Sequence, residues 1–168
     1  METHISNQNK NIGTLIHAST FSKYFFPFGN FIFPLVFWLS NKNKAFIDAH
    51  GKQCLNFQIS VTLYAVILAT LGFFGTIFSL LSSNSENIRQ SFDPLNFQYL
   101  SEVMPFFIFL GIMATLFIAL FIFEIICVLQ ASVRASEGKA YNYPICIHFI
   151  QQNSSKNEWP TTLKTETL

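Results

Sequence analysis

FFPFGNFIFPLVFWL, residues 25–39, decides how this chain is read. The stretch is apolar enough for a bilayer, yet Pro27, Gly29, Asn30 and Pro34 interrupt it. Proline fixes φ and removes a backbone donor, whereas glycine and asparagine accept the positive φ of a turn or helix cap. The fully apolar part, residues 31–39, makes about 14 Å of helix, half of a hydrocarbon core of about 30 Å. The preceding stretch, IGTLIHASTFSKYFF at residues 12–26, sets Leu15, Ile16, Phe21, Phe25 and Phe26 among His17, Ser19, Ser22 and Lys23 and is amphipathic. Neither half spans alone. Two topologies remain: one kinked crossing over residues 12–39 with the N-terminus outside, or a reversal at residues 27–30 with both arms entering from the cytoplasm. Pro27, Gly29 and Asn30, with Gly29 and Asn30 supplying the positive φ, favour the reversal. Non-helical backbone at membrane depth has to be covered by protein, so this turn is expected to pack on other helices.

Composition sets the class. The 168 residues are 51% hydrophobic and 11% charged, against about 25% charged in soluble domains, which reads as an all-α integral membrane protein. The 21 phenylalanines accompany abundant Ile, Asn and Lys, the mark of an AT-rich coding bias combined with lipid exposure. A formal net charge of +1 supplies no basic face, so nucleic acid is not expected as a partner. Cys54, Cys127 and Cys146 show no paired spacing, and no disulfide framework or metal site is implied. The N-terminus lacks the basic start and cleavage site of a signal peptide.

Two stretches are long enough to cross a bilayer: residues 59–81, without a charge, and residues 104–129, with Pro105 expected in the first turn. A polar loop is expected over residues 82–101. Lys42, Lys44 and Lys52 precede the first span and Arg134 and Lys139 follow the second, whereas the loop offers Arg89 against Glu86, Asp93 and Glu102. Basic residues stay cytoplasmic, which puts both termini inside and makes the chain a multi-pass protein of the inner cell membrane. The expected organisation is a polar tail over residues 1–11, a membrane domain over 12–150 and a disordered polar tail over 151–168. Two short helices form a broken hairpin, and two transmembrane helices follow.

The polar residues that could carry function are few. In FIDAHGKQCLNFQIS, residues 46–60, helical spacing puts Asp48, Lys52 and Asn56 on one stripe and His50, Cys54 and Gln58 on another. They read either as a polar site at the cytoplasmic mouth or as an interfacial helix start, with Asp48 near the helix dipole and Lys52 reaching headgroups. Asn56 and Gln58 lie deeper and need partners. His50 and Cys54 lack a third metal ligand. Glu124 is the sole acid within a span, with His17, Lys52 or its own protonation as ways to avoid an isolated charge. His17 could reach Glu124 or the HGKQ segment. NYPICIHFI, residues 142–150, alternates as a short strand or an extended interfacial segment would. No nucleophile elbow, phosphate loop or paired-carboxylate arrangement occurs, so neither catalytic residues nor a cofactor are expected.

His17, PFGN at residues 27–30, PLVFWL at 34–39, FIDAHGKQCLNFQIS at 46–60 and ASVRASEGKAYNYPICIHFI at 131–150 together resemble the bacterial Tic-twenty-like family of small membrane proteins of unknown function. The resemblance covers about residues 12–150. Cys54, where the family usually has a small residue, and the long polar loop depart from its pattern. The family is related to a chloroplast inner-envelope translocon component, so the resemblance implies a non-enzymatic scaffold or partner subunit linked by analogy to protein translocation. The expected partners are the lipid bilayer and either another membrane protein or a second copy of the chain. The alternative is a small transporter or channel subunit with a polar path past Glu124, Asn56 and Gln58.

Overall fold

The computed structural model describes residues 5–82 and 97–151. Residues 152–168 of the expected tail and 83–96 of the expected loop lie outside them. The order is α1 (Asn7–Ala18), a 3-10 helix (Ser19–Tyr24), α2 (Gly29–Leu39), α3 (Ala45–Ser82) and α4 (Phe97–Ser136), with no strand among the described residues. This is the all-α arrangement of a broken hairpin followed by two long apolar helices.

Local chemistry explains where the elements begin. The Ser6 side chain accepts from the Asn9 amide at 3.3 Å and caps α1. The helix therefore starts inside the stretch read from composition as a polar tail. The turn departs from expectation in one respect: the positive φ, 61°, falls on Phe28, and Gly29 is already the first residue of α2. Gly29 is needed instead for closeness. A Cβ there would sit 2.8 Å from the Ser22 carbonyl carbon and oxygen, so only glycine lets α2 rest on the 3-10 helix.

Two compact units form, one from Met1–Val61 with Phe123–Leu168, the other from Thr62–Ile122. In the first, Ile16 of α1 and Phe46, Ile47 and Cys54 of α3 make a buried core flanked by Ile5, Ile12, Phe37 and Trp38. In the second, Gly72 faces Met113, and Gly75 lies against the Phe109 ring, so the GxxG spacing serves an approach of α3 to α4 within the chain. Ala45–Ser79 and Val103–Ser136 are long and apolar enough to cross a membrane. Their most apolar windows are only 6% and 0% buried, whereas the core helix of a soluble protein would be mostly covered.

Helix α4 also begins earlier than the apolar run suggested, which puts Pro105 inside the helix rather than in its first turn. The apolar run marks what lipid covers, not where backbone hydrogen bonding starts. After α4, Gly138 takes φ 79° and the chain continues without helix or strand, with a turn at residues 144–145. Residues 142–150, expected as a short strand or an extended interfacial segment, are thus irregular, with Ile145 at a positive φ of 54° and no strand pairing.

Gly51 sets a second close approach. A Cβ there would overlap the Trp38 indole ring and lie 2.8 Å from Trp38 Cβ. Gly51→Ala gains about 1 kcal/mol of helix propensity, but overpacking against the root of a rigid ring costs about 1–3 kcal/mol. A net loss in thermal unfolding, with a shift in Trp38 fluorescence, is the expected result.

Candidate functional site

The polar residues of the first unit sort into internal pairings rather than one open cleft. At the centre is a buried row. Tyr143 O–H donates to His17 Nδ1 at 2.8 Å, and His17 Nε2 lies 2.8 Å from His50 Nδ1. The Lys139 backbone interacts with the His50 ring in turn. A neutral imidazole carries one N–H, so with Tyr143 donating to Nδ1, His17 donates through Nε2 to His50 Nδ1, and the His50 proton sits on its own Nε2. Phe57 stacks on Tyr143 with ring centroids 4.0 Å apart, and Phe46 lies against His50 at 4.4 Å. Burial, then the neighbouring His50, hold the His17 pKa well below its ordinary value. Burial likewise pushes the Tyr143 phenol well above its own. The row is therefore a neutral hydrogen-bonded strut tying α1, α3 and the segment after α4.

A second pairing closes the hairpin. Asn30, at the start of α2, donates Nδ2–H to Gln58 Oε1 at 3.0 Å, and both side chains are buried. Gln58 Nε2 is buried without a hydrogen-bond partner among the described residues. Thr20 Oγ1 donates to the His17 carbonyl at 2.8 Å, which links the hairpin to the histidine row.

The third pairing is ionic. Lys23 of the 3-10 helix forms a salt bridge with Glu124 of α4, whose side chain is nearly buried. Neither His17 nor Lys52 serves Glu124. His17 is engaged by His50 and Tyr143, and Lys52 pairs with Asp48 at 2.7 Å, one turn away. Asp48 also accepts from Trp38 Nε1 at 2.9 Å.

Asn56 leaves the stripe it shares with Asp48 and Lys52. Its Nδ2 donates to the Ile150 carbonyl at 3.0 Å and its Oδ1 accepts from the Ile150 amide at 2.8 Å. Ser60 Oγ accepts from the Ile147 amide at 2.9 Å. A side-chain amide thus takes both backbone hydrogen bonds of Ile150, which explains how irregular backbone is satisfied without a sheet.

All the anticipated residues of the first unit are engaged, but they do not converge. His17 and His50 meet directly; Asp48 with Lys52, Asn56, Gln58 and Glu124 serve four further contacts. Sequence reasoning missed Lys23, Trp38, Ser60 and Tyr143. For Lys23 a signal existed: it is the lone charge of residues 12–39, as Glu124 is of 104–129, and lone charges at membrane depth find each other. Among the described residues no group of three His, Cys, Asp or Glu side chains could hold a metal ion.

A model of the magnetosome magnetite crystal formation protein family, MamF/MmsF, matches residues 8–150. No curated protein and no solved structure matches the chain. The family match overturns the Tic-twenty-like resemblance and removes the translocation link that came with it. The blocks that carried that resemblance are packing devices here: Gly29 on Ser22, Gly51 on Trp38, Tyr143 on Phe57. Such blocks specify how helices meet and leave function undetermined.

Proposed function

The chain belongs to the magnetosome magnetite crystal formation protein family, and we propose that it acts there as a non-enzymatic integral membrane scaffold that docks a second membrane protein or a second copy of itself. One observation carries this reading: polar side chains are spent inward while the apolar faces of α2, α3 and α4 point outward. An enzyme needs a convergent nucleophile and base in a cleft. The chain instead neutralises its buried charge with Lys23 and closes its histidines on each other. The family description supports a role in the membrane at which magnetite crystals form. The basic residues Lys42, Lys44, Lys52, Arg134 and Lys139 support cytoplasmic termini.

The transport alternative draws less support. Of its three path residues, Glu124 is ion-paired and Asn56 is bonded twice to Ile150, so both are committed to packing. Crosslinking in native membranes followed by purification is expected to recover a membrane-protein partner or a dimer. A chain crosslinked to nothing, or proton or solute flux in vesicles that Glu124→Gln abolishes, would overturn the scaffold reading.

A further inference from the structure

The hairpin has an outer surface that none of the pairings above uses. From Tyr24 through Leu39 every exposed side chain is apolar: Tyr24, Phe25, Phe26, Pro27 and Phe28 at the bend, then Ile32, Phe33, Leu35, Val36 and Leu39 on α2. Phe25 is 82% exposed and Phe28 73%, far beyond what scattered surface hydrophobics explain. At Ser40 the character changes at once, and Ser40, Lys42 and Asn43 are exposed and polar. An abrupt apolar-to-polar boundary at the end of a short helix is what a membrane interface imposes. In the same unit, Ile126, Leu129 and Val133 of α4, a helix long and apolar enough to cross a bilayer, are exposed as well.

Depth follows from the pairings. The start of α2 meets Gln58 through Asn30, and its end meets Asp48 through Trp38. Helix α2 therefore runs antiparallel to α3 and accompanies it for about ten residues, about 15 Å. Its 11 residues give about 16 Å, half the hydrocarbon thickness. The bend's backbone is satisfied locally rather than by other helices: the Phe25 and Phe26 amides donate to the Ser22 carbonyl, the Gly29 amide to the Phe26 carbonyl, and the Phe31 and Ile32 amides to the Phe28 carbonyl.

We propose that residues 24–39 form a re-entrant surface that takes the acyl chains of a single lipid leaflet, entering from the Lys42 and Lys44 side and returning to it. The inference rests on the membrane reading of α3 and α4, which the same experiment tests separately. Full-length protein in bilayers is photolabelled with a phospholipid carrying a diazirine in its acyl chain, and the adducts are mapped by mass spectrometry. Adducts are expected on Phe25, Phe26, Phe28, Ile32 and Val36, together with Phe73, Phe74 and Phe78 of α3. Reporters placed at the N-terminus and between Lys42 and Asn43 should report the same side of the membrane. Adducts on α3 without any on residues 24–39 would mean that protein covers the hairpin, and the proposal falls. Reporters on opposite sides would mean that the segment crosses, and it falls again. Absence of adducts from α3 too would remove the membrane reading beneath it.

Discussion

Lys23→Met is expected to destabilise the protein by about 3–5 kcal/mol, because it leaves the Glu124 carboxylate without its counter-charge in a nearly buried position. The two ends of the salt bridge are not equivalent. The Lys23 side chain is 25% exposed and that of Glu124 only 7%, so an unpartnered Lys23 can reach toward polar surroundings whereas an unpartnered Glu124 cannot. Glu124→Gln should therefore cost less than Lys23→Met. The double variant should recover most of the loss, since replacing both partners of a buried pair is often close to neutral. Unfolding in detergent micelles followed by circular dichroism would measure all three. Equal losses for both single variants would remove the asymmetry, and no rescue in the double would show that the pair contributes little.

The histidine row should give the next largest effect. His17→Leu removes the acceptor of Tyr143 O–H and the donor to His50 Nδ1 in one step. At about 1–3 kcal/mol for each buried group deprived of its partner, the expected loss is roughly 2–6 kcal/mol. Tyr143→Phe deletes one bond and keeps the stack on Phe57, so it should cost less. The row also predicts a direction with pH. Burial and His50 lower the His17 pKa in the folded chain, so as pH falls the unfolded chain takes the proton first. The contribution of neutral His17 is then present above the unfolded value of about 6.5 and is lost as pH falls below it toward the folded pKa. The His17 contribution should fall by up to about 1.4 kcal/mol per pH unit in that window. The slope should be smaller in His17→Leu, and an unchanged slope would mean that His17 does not carry the linkage.

Much of this fold was legible because a bilayer simplifies sequence. Runs long enough to cross stand out whatever they pack against, and Pro27 with Gly29 signalled a reversal before any coordinates. What the run could not show is where hydrogen bonding starts, so α4 extends back to Phe97 and α1 to Asn7. Which residue takes the positive φ at the bend was also hidden. Glycine is the usual occupant, but the close contact with Ser22 keeps Gly29 for packing and leaves the strained position to Phe28.

The polar residues divide in the same way. Helical spacing alone is enough to pair Asp48 with Lys52, since residues four apart share a face. It also identifies Asn56, Gln58 and Glu124 as residues that need partners, because an unpaired polar group at that depth is costly. Their partners lie up to 101 residues away in sequence, as Lys23 and Glu124 do. Spacing along one helix carries no information about such distances. The sequence by itself determined an all-helical chain with two long apolar helices and a broken segment before them. Only the tertiary structure decided that His17 meets His50 and Tyr143, that Asn56 holds Ile150, and that the hairpin lies against residues 48–58 of α3. The physical reason is that lipid selects for composition along the chain, whereas hydrogen bonds select for geometry between segments that only folding brings together.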